Sequence, residues 1–430
     1  MFSKLSKSRS KSPPINFKKY WHALISPWQQ IDWFLLILVV GLTAFGGLTI
    51  HSTELYENST RGWQHWFVGA IGLGLTLAIA RSPYKLILRW HWFIYAVTNL
   101  SLVAVMVAGV TVNGAQSWLN FGGFNIQPSE FAKIGVIITL AALLHEREKI
   151  DLKTIGRTLA ITAIPWALVL LQPDLGTSLV FGAIVLTMLY WANTNPGWLI
   201  LMISPLVSAI LYHVYLPGWL FWTLLTTAIA WLTLPLRIVS ALGAIAVNFG
   251  AVELGNLLWG LLKNYQKERL ILFLNPEQDP LGGGYHLIQS RIAIGAGEMW
   301  GRGLHHGTQT QLNFIPEQHT DFIFSAVGEE YGFVGCLILL LVFWAICARL
   351  IWIALATKDN FGSLLAIGIL SMIAFQTAIN ISMTVGLAPI TGIPLPWMSY
   401  GRSALLTNFI AIGLVESVAN FRPKKKKPYY

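Results

Sequence analysis

The chain has 430 residues, 55% of them hydrophobic and 11% charged, with 19 Trp and a mean hydropathy of +0.59. Apolar runs of about 20 residues, enough for a hydrocarbon core of roughly 30 Å, exclude a soluble globular protein, and they are too long for the alternating strands of a β-barrel. The net charge of +10 reads as retention beside anionic membrane lipid rather than as a nucleic-acid footprint, because much of it lies at the two ends of an apolar chain.

Residues 1–30 form a basic tail with Lys4, Lys7, Arg9, Lys11, Lys18 and Lys19, and 422–430 form another with Arg422 and Lys424 to Lys427. Between them, 31–421 reads as an all-α, polytopic transmembrane helical bundle. A first, uncleaved span is expected at 33–50 and a second at 63–80. The loop 81–89 carries Arg81, Lys85 and Arg89 and belongs inside. Further spans follow at 90–110 and 128–144, joined by a charge-free outer loop at 113–127. The charged loop 146–157 returns inside. Spans at 159–171 and 176–191 are separated only by 172–175, where Asp174 suits a tight turn. Runs at 197–215, 218–234 and 239–262 come next, the first two opened by matching Pro-Gly-Trp-Leu turns.

A long polar loop, 263–321, precedes spans at 322–346, 361–383 and 404–418, with a Pro/Gly-rich segment at 386–401. That makes about twelve spans. The positive-inside rule puts both termini in the cytoplasm and the loop outside. Cys336 and Cys347 fall in one apolar segment, too far apart along a helix to pair.

The polar loop is where chemistry is expected. Its glycines at 295, 297, 301, 303 and 307 let the backbone bend and approach a ligand closely. Asp321 is the last carboxylate before an apolar run, where desolvation favours a raised pKa; an Asp there also suits a helix N-cap. His319, two residues away, either orients it or is a satisfied loop histidine. Glu130 and Lys133, at i and i+3, share a helix face; they form a structural pair or face a ligand. Arg291 and Arg302 are phosphate-contact candidates or solvated charges. Trp118 lines a path or anchors the interface. One of Glu329 and Glu330 should face a cavity, since lipid exposure is costly. His305 and His306 make a poor metal site, because adjacent side chains diverge.

Five stretches, GAQSWLNFGGFNIQPSEFAK (114–133), QPDLGTSLV (172–180), NPEQDPLGGGYHLIQS (275–290), HGTQTQLNFIPEQHTDFIF (306–324) and GIPLPWMSYG (392–401), resemble in sequence and order the SEDS family (shape, elongation, division, sporulation). Within it, IQSRIAIGAG and the fourth stretch resemble the rod-shape members more than the division members.

The resemblance implies a peptidoglycan glycosyltransferase that polymerises lipid II, partnered by a class B penicillin-binding protein. It implies Asp321 as catalytic base, with Lys133, Glu130, Trp118, Arg291, Arg302 and His319 as candidates for substrate contact. A divalent ion such as Mg²⁺ bridging the diphosphate is implied too, with no ligand set visible. The family core has about ten spans, so an extra pair is expected near 197–234. Two positions depart from the pattern: Ser117 replaces a basic residue, and Arg402 a glycine. A lipid II flippase and a non-catalytic scaffold are the competing readings.

Overall fold

The computed structural model describes residues 31–55, 60–112, 115–122, 124–147, 150–261, 267, 271–273, 276–280, 284–312 and 314–422. The basic tail 1–30 and Lys424 to Lys427 lie outside the described residues, as do Lys263 and Arg269 of the polar loop.

Twelve long helices make the bundle: α1 (Trp33–Thr53), α2 (Arg61–Ala80), α3 (Lys85–Ala108), α4 (Pro128–Leu144), α5 (Leu152–Leu171), α6 (Leu175–Trp191), α7 (Pro196–Val214), α8 (Leu216–Thr233), α9 (Arg237–Leu261), and, after the polar loop, α12 (Ile323–Ala356), α13 (Asn360–Val385) and α14 (Arg402–Phe421). Two short helices, α10 (Tyr285–Ala296) and α11 (Thr308–Gln311), lie within the loop. Ten of the twelve are long and apolar enough to cross a membrane; α4 and α6 have 17 residues each. The chain is a multi-pass helical membrane protein.

Small polar residues set the helix starts. Asp32, Asp151, Asp174, Asn195 and Asp359 each accept a bond from an early backbone N–H, so α1, α5, α6, α7 and α13 begin where these residues stand. Asp174 is therefore a helix cap, with Oδ1 3.0 Å from Thr177 N.

The core is built on α4, α13 and α14. Nearly every residue of α4 is buried. The pairs Asn360 Nδ2–His145 O (3.2 Å) and Gly368–Ile137 run α13 antiparallel to α4. Helix α14 lies against α2, where Gly72 and Gly413 leave room for close approach.

Helices α7, α8 and α9 pack mainly on one another and meet the rest of the bundle chiefly where α7 touches α6. A buried polar network joins them: Asn248 accepts from Ser204 at 2.7 Å and donates to Thr226 at 3.0 Å, while Trp219 and Trp222 donate to Ser208 and Ser204. The expected extra pair is thus two-thirds of a three-helix appendage.

Three features differ from the sequence expectation. The loop before α4 is a three-stranded antiparallel sheet, β1 (Val110–Val112), β2 (Ala115–Phe121) and β3 (Phe124–Ile126). Helix α3 starts at Lys85, because Lys85 and Arg89 can lay their stems along the bundle while their charges reach outward. And α12 extends to Ala356, so Arg349 lies within it, bonded to Asp32 at the start of α1.

Candidate active site at the loop end of the bundle

Helix α12 is broken at Gly332, whose φ of 64° and ψ of −163° suit glycine alone. The break frees backbone groups that the polar loop then satisfies. Arg302 N donates to Glu329 O and Gly303 N to Glu330 O, both at 2.9 Å. Phe333 N donates to Glu298 O at 2.9 Å and Val334 N to Met299 O at 3.1 Å. A Cβ at Gly301 would sit 2.2 Å from Glu330 O, and one at Gly297 1.9 Å from Gly328 O. The glycines of the loop thus serve a backbone-to-backbone clamp; approach to a ligand, the sequence expectation, is not what Gly297 and Gly301 are used for.

Glu329 and Glu330 stand just before the break, and both are buried. Glu329 accepts from Gln309 N and Thr310 N, each at 2.8 Å, and from the hydroxyls of Thr308 and Thr310. It organises α11. Glu330 accepts from the Ser52 hydroxyl and from His305 N at 3.3 Å, which ties the loop to the end of α1. His305 Nδ1 lies 3.0 Å from the same hydroxyl. Burial, reinforced by His51 and His306, lowers the His305 pKa below 6.5. Both carboxylates thus hold protein groups, Glu329 through both oxygens and Glu330 through Oε1.

Asp321 sits where this clamped loop meets the Pro/Gly-rich segment. The residue capping α12 is Phe322, so the carboxylate stands one position outside the cap. Asn380 of α13 donates from one amide to two carbonyls, Asp321 O at 2.9 Å and Ile393 O at 2.8 Å. Ser399 donates to Thr320 O, and Tyr400 N to His319 O at 2.9 Å. Residues 319–321 are therefore held on three sides by backbone contacts while the Asp321 side chain stays partly exposed. Its Oδ2 lies 3.5 Å from where a Cβ would stand at Gly392, whose φ of 71° also favours glycine. The His319 ring is 5.9 Å from that of Tyr400, and its Nε2 is 3.9 Å from Glu317.

The motif stretches gather around this point. Gly176, at the start of α6, faces Thr391 O. Gln127, just before α4, donates to Asp174 Oδ2 at 3.2 Å through its side chain and to Ser403 Oγ at 2.9 Å through its backbone. Ser117 of β2 lies against Gln172 O at 3.3 Å. Arg402 reaches Gln64 Oε1 at 3.1 Å and the Tyr400 hydroxyl at 3.3 Å, so a guanidinium stands two residues from the group that holds His319.

Glu130 and Lys133 form an ion pair of 2.8 Å near the same end of α4, at 2% and 1% exposure. A buried pair survives only if bonded and charged together. Trp118 is half-buried on β2, opposite Val110. Arg291 is exposed on α10 and lies against Gly386 at the end of α13. Arg302 is exposed and braces the loop, bonded to Ala296 O at 3.1 Å and Thr308 Oγ1 at 2.9 Å. Among the described residues no three His, Cys, Asp or Glu side chains come together to hold a metal. Asn380 has as its only sequence signal a polar residue in an otherwise apolar run, and Ser399 only its place in the stretch 392–401.

This gathering of motifs at one end of a helical bundle has known counterparts. The cell cycle protein model named for FtsW, RodA and SpoVE matches residues 30–424. Peptidoglycan glycosyltransferase RodA of Treponema pallidum is 37% identical, covering 90% of this chain and 97% of that one. Peptidoglycan glycosyltransferase MrdB of Escherichia coli K12 is 33% identical, covering 96% and 98%. A chain from a study of the structural coordination of polymerization and crosslinking by a peptidoglycan synthase complex superposes with a TM-score of 0.69 at 28% identity, covering 91% and 99%. The fold is shared by the rod shape determining protein RodA of Thermus thermophilus, at a TM-score of 0.61 and 24% identity, covering 92% and 98%. With the model spanning nearly all the described residues and the motifs meeting at one site, the chain belongs to the FtsW/RodA/SpoVE family.

Proposed function

We propose that the chain is a peptidoglycan glycosyltransferase of cell-shape elongation, polymerising lipid II on the outer face of a bacterial cell membrane. The observation that supports this reading is the pair of hydrogen bonds from the Asn380 amide to Asp321 O and Ile393 O, which ties the backbone of Asp321 to the Pro/Gly-rich motif stretch. Both termini lie in the cytoplasm, and the loop end of the bundle faces outward. A class B penicillin-binding protein is the partner that crosslinks the product.

In the reaction, the 4-hydroxyl of one lipid-linked sugar attacks the anomeric carbon of the other. The new C–O bond forms as the bond from that carbon to the diphosphate oxygen breaks, and undecaprenyl diphosphate leaves. Asp321 takes the hydroxyl proton as general base. Lys133, kept in place by Glu130, offers positive charge to the diphosphate. Trp118, His319, Arg291 and Arg302 line the approach for substrate. Mg²⁺, which the resemblance implies, would add positive charge at the leaving diphosphate; among the described residues no three His, Cys, Asp or Glu side chains gather to hold it, and no step above depends on it.

The test is purified protein with lipid II and a class B partner, scored both for glycan strands and for lipid flipping in liposomes. Strands made by the native chain and lost in Asp321→Asn are expected. Flipping without strands would replace this reading with a transporter.

A further inference from the structure

Among the buried polar atoms left without a hydrogen-bond partner among the described residues are Glu130 Oε2 of α4, Gln376 Oε1 of α13 and Thr407 Oγ1 of α14. Their residues are 2%, 1% and 0% exposed. Buried polar atoms are almost always satisfied, by protein or by ordered water. Ser129, Thr377, Asn380 and Asn408 carry others on the same three mutually packed helices; what sets Glu130, Gln376 and Thr407 apart is a shared level.

The helix contacts bring them to one level. His145 meets Asn360, and Ile137 meets Gly368. Both pairs fix the same antiparallel register, in which Glu130 lies level with Gln376 to within about one residue, roughly 1.5 Å of rise. Gln127, bonded to Ser403, sets α14 parallel to α4, and in that register Thr407 also falls within about one residue of Glu130. Gln376 lies eight residues from Gly368, about 80° around the helix, and one turn below Asn380, about 40° away. It thus points between the face that meets α4 and the face that holds Asp321.

Lys133 lies one turn into α4 from Glu130. Its ammonium has three N–H donors, and the bond to Glu130 Oε1 uses one. A cation 1% exposed inside a membrane protein needs more acceptors than one carboxylate oxygen supplies.

We propose that Gln376 and Thr407 are positioning residues that complete the polar shell of the Glu130–Lys133 pair through bridging water, and so set where the ammonium stands relative to Asp321. Helix α13 then serves both charged groups from one face: Asn380 holds the backbone of the carboxylate, and Gln376 the cation one turn below. The water is held by acceptors that the protein alone leaves unpaired, a polar site of the kind that keeps buried water. This inference rests on the reading of Lys133 as the diphosphate contact.

The experiment is a double-mutant cycle on lipid II affinity, using the full-length chain in detergent or nanodiscs. Lys133→Met is expected to weaken binding about tenfold or more. Gln376→Leu, and separately Thr407→Val, which removes only a hydroxyl, should each weaken it several-fold without shifting the melting temperature comparably. Combined with Lys133→Met, neither should weaken it further, because each acts through the ammonium. Additive losses, or Gln376→Leu and Thr407→Val variants that bind like the native chain, would overturn the proposal while leaving the Lys133 role intact. If Lys133→Met binds lipid II normally, the role of Lys133 fails and this inference with it.

Discussion

Removing Lys133 separates a structural ion pair from a catalytic one. Lys133→Ala leaves the Glu130 carboxylate, 2% exposed, without the ammonium 2.8 Å away. An uncompensated buried charge costs about 3–5 kcal/mol, some two to three and a half powers of ten in a folding equilibrium. Glu130→Gln/Lys133→Met keeps the volume and removes both charges, so it should recover most of the lost stability. The two assays are therefore thermal melting and strand synthesis from lipid II, run on the same preparations. Lys133→Ala should melt early and make no strands. The double variant should melt near the native chain and still make none, since nothing replaces the cation at the diphosphate. Lys133→Arg should recover only part of the activity, because a planar fork differs from an ammonium in reach. Full strand synthesis by the double variant would refute the argument and leave the pair purely structural.

Asp321→Asn should abolish strand synthesis and melt within a few degrees of the native chain, because the backbone contacts of Asp321 and its neighbours use carbonyls and N–H groups that the change keeps; retained synthesis would remove Asp321 from the mechanism. Gly332→Ala places a Cβ 2.3 Å from Gly301 N in a backbone region costing about 1–3 kcal/mol for other residues, so melting should drop and limited proteolysis should cut residues 297–312 faster. Deleting α7 and α8 alone should give an unstable protein, because Asn248 loses Ser204 and Thr226; adding Asn248→Leu should restore it with strand synthesis retained, and a stable but inactive product would mean the appendage belongs to the site. His305, whose pKa is lowered in the fold, binds fewer protons folded than unfolded just below pH 6.5. Stability should therefore fall as pH drops through that range, and His305→Gln should flatten the fall in a melting series.

The spans were legible because a run of about 20 apolar residues has few alternatives. Their ends were less so. Arg81, Lys85 and Arg89 read as a loop, yet Lys85 and Arg89 lie on α3, since long basic side chains let a helix continue past the apolar boundary. The sheet at 110–126 escaped notice because β1 and β3 have three residues each, too short for an alternation to show. Gly332 looked like any glycine in an apolar helix; only the loop lying against it explains the break. For the site, the carboxylate at 321 stood out at a polar-to-apolar boundary, where base and helix cap were both open and the resemblance pointed to the base. Asn380, 59 residues further on, did not, because nothing local tells which carbonyl an amide will meet. The charged pair at 130 and 133 was legible from spacing, whereas Gln376 and Thr407 became visible only when three helices were set side by side.

The appendage of α7, α8 and α9 has a consequence for how the chain is made. Helix α8 is less apolar than α7 and α9. Its Thr226 finds Asn248 only after α9 has been synthesised. During translation α8 therefore enters the membrane before Asn248 can tie it to α7, and the packing of the three helices is completed by a helix not yet made. A ribosome pausing before residue 248 would leave this segment open to quality-control proteolysis, well before the polar loop exists.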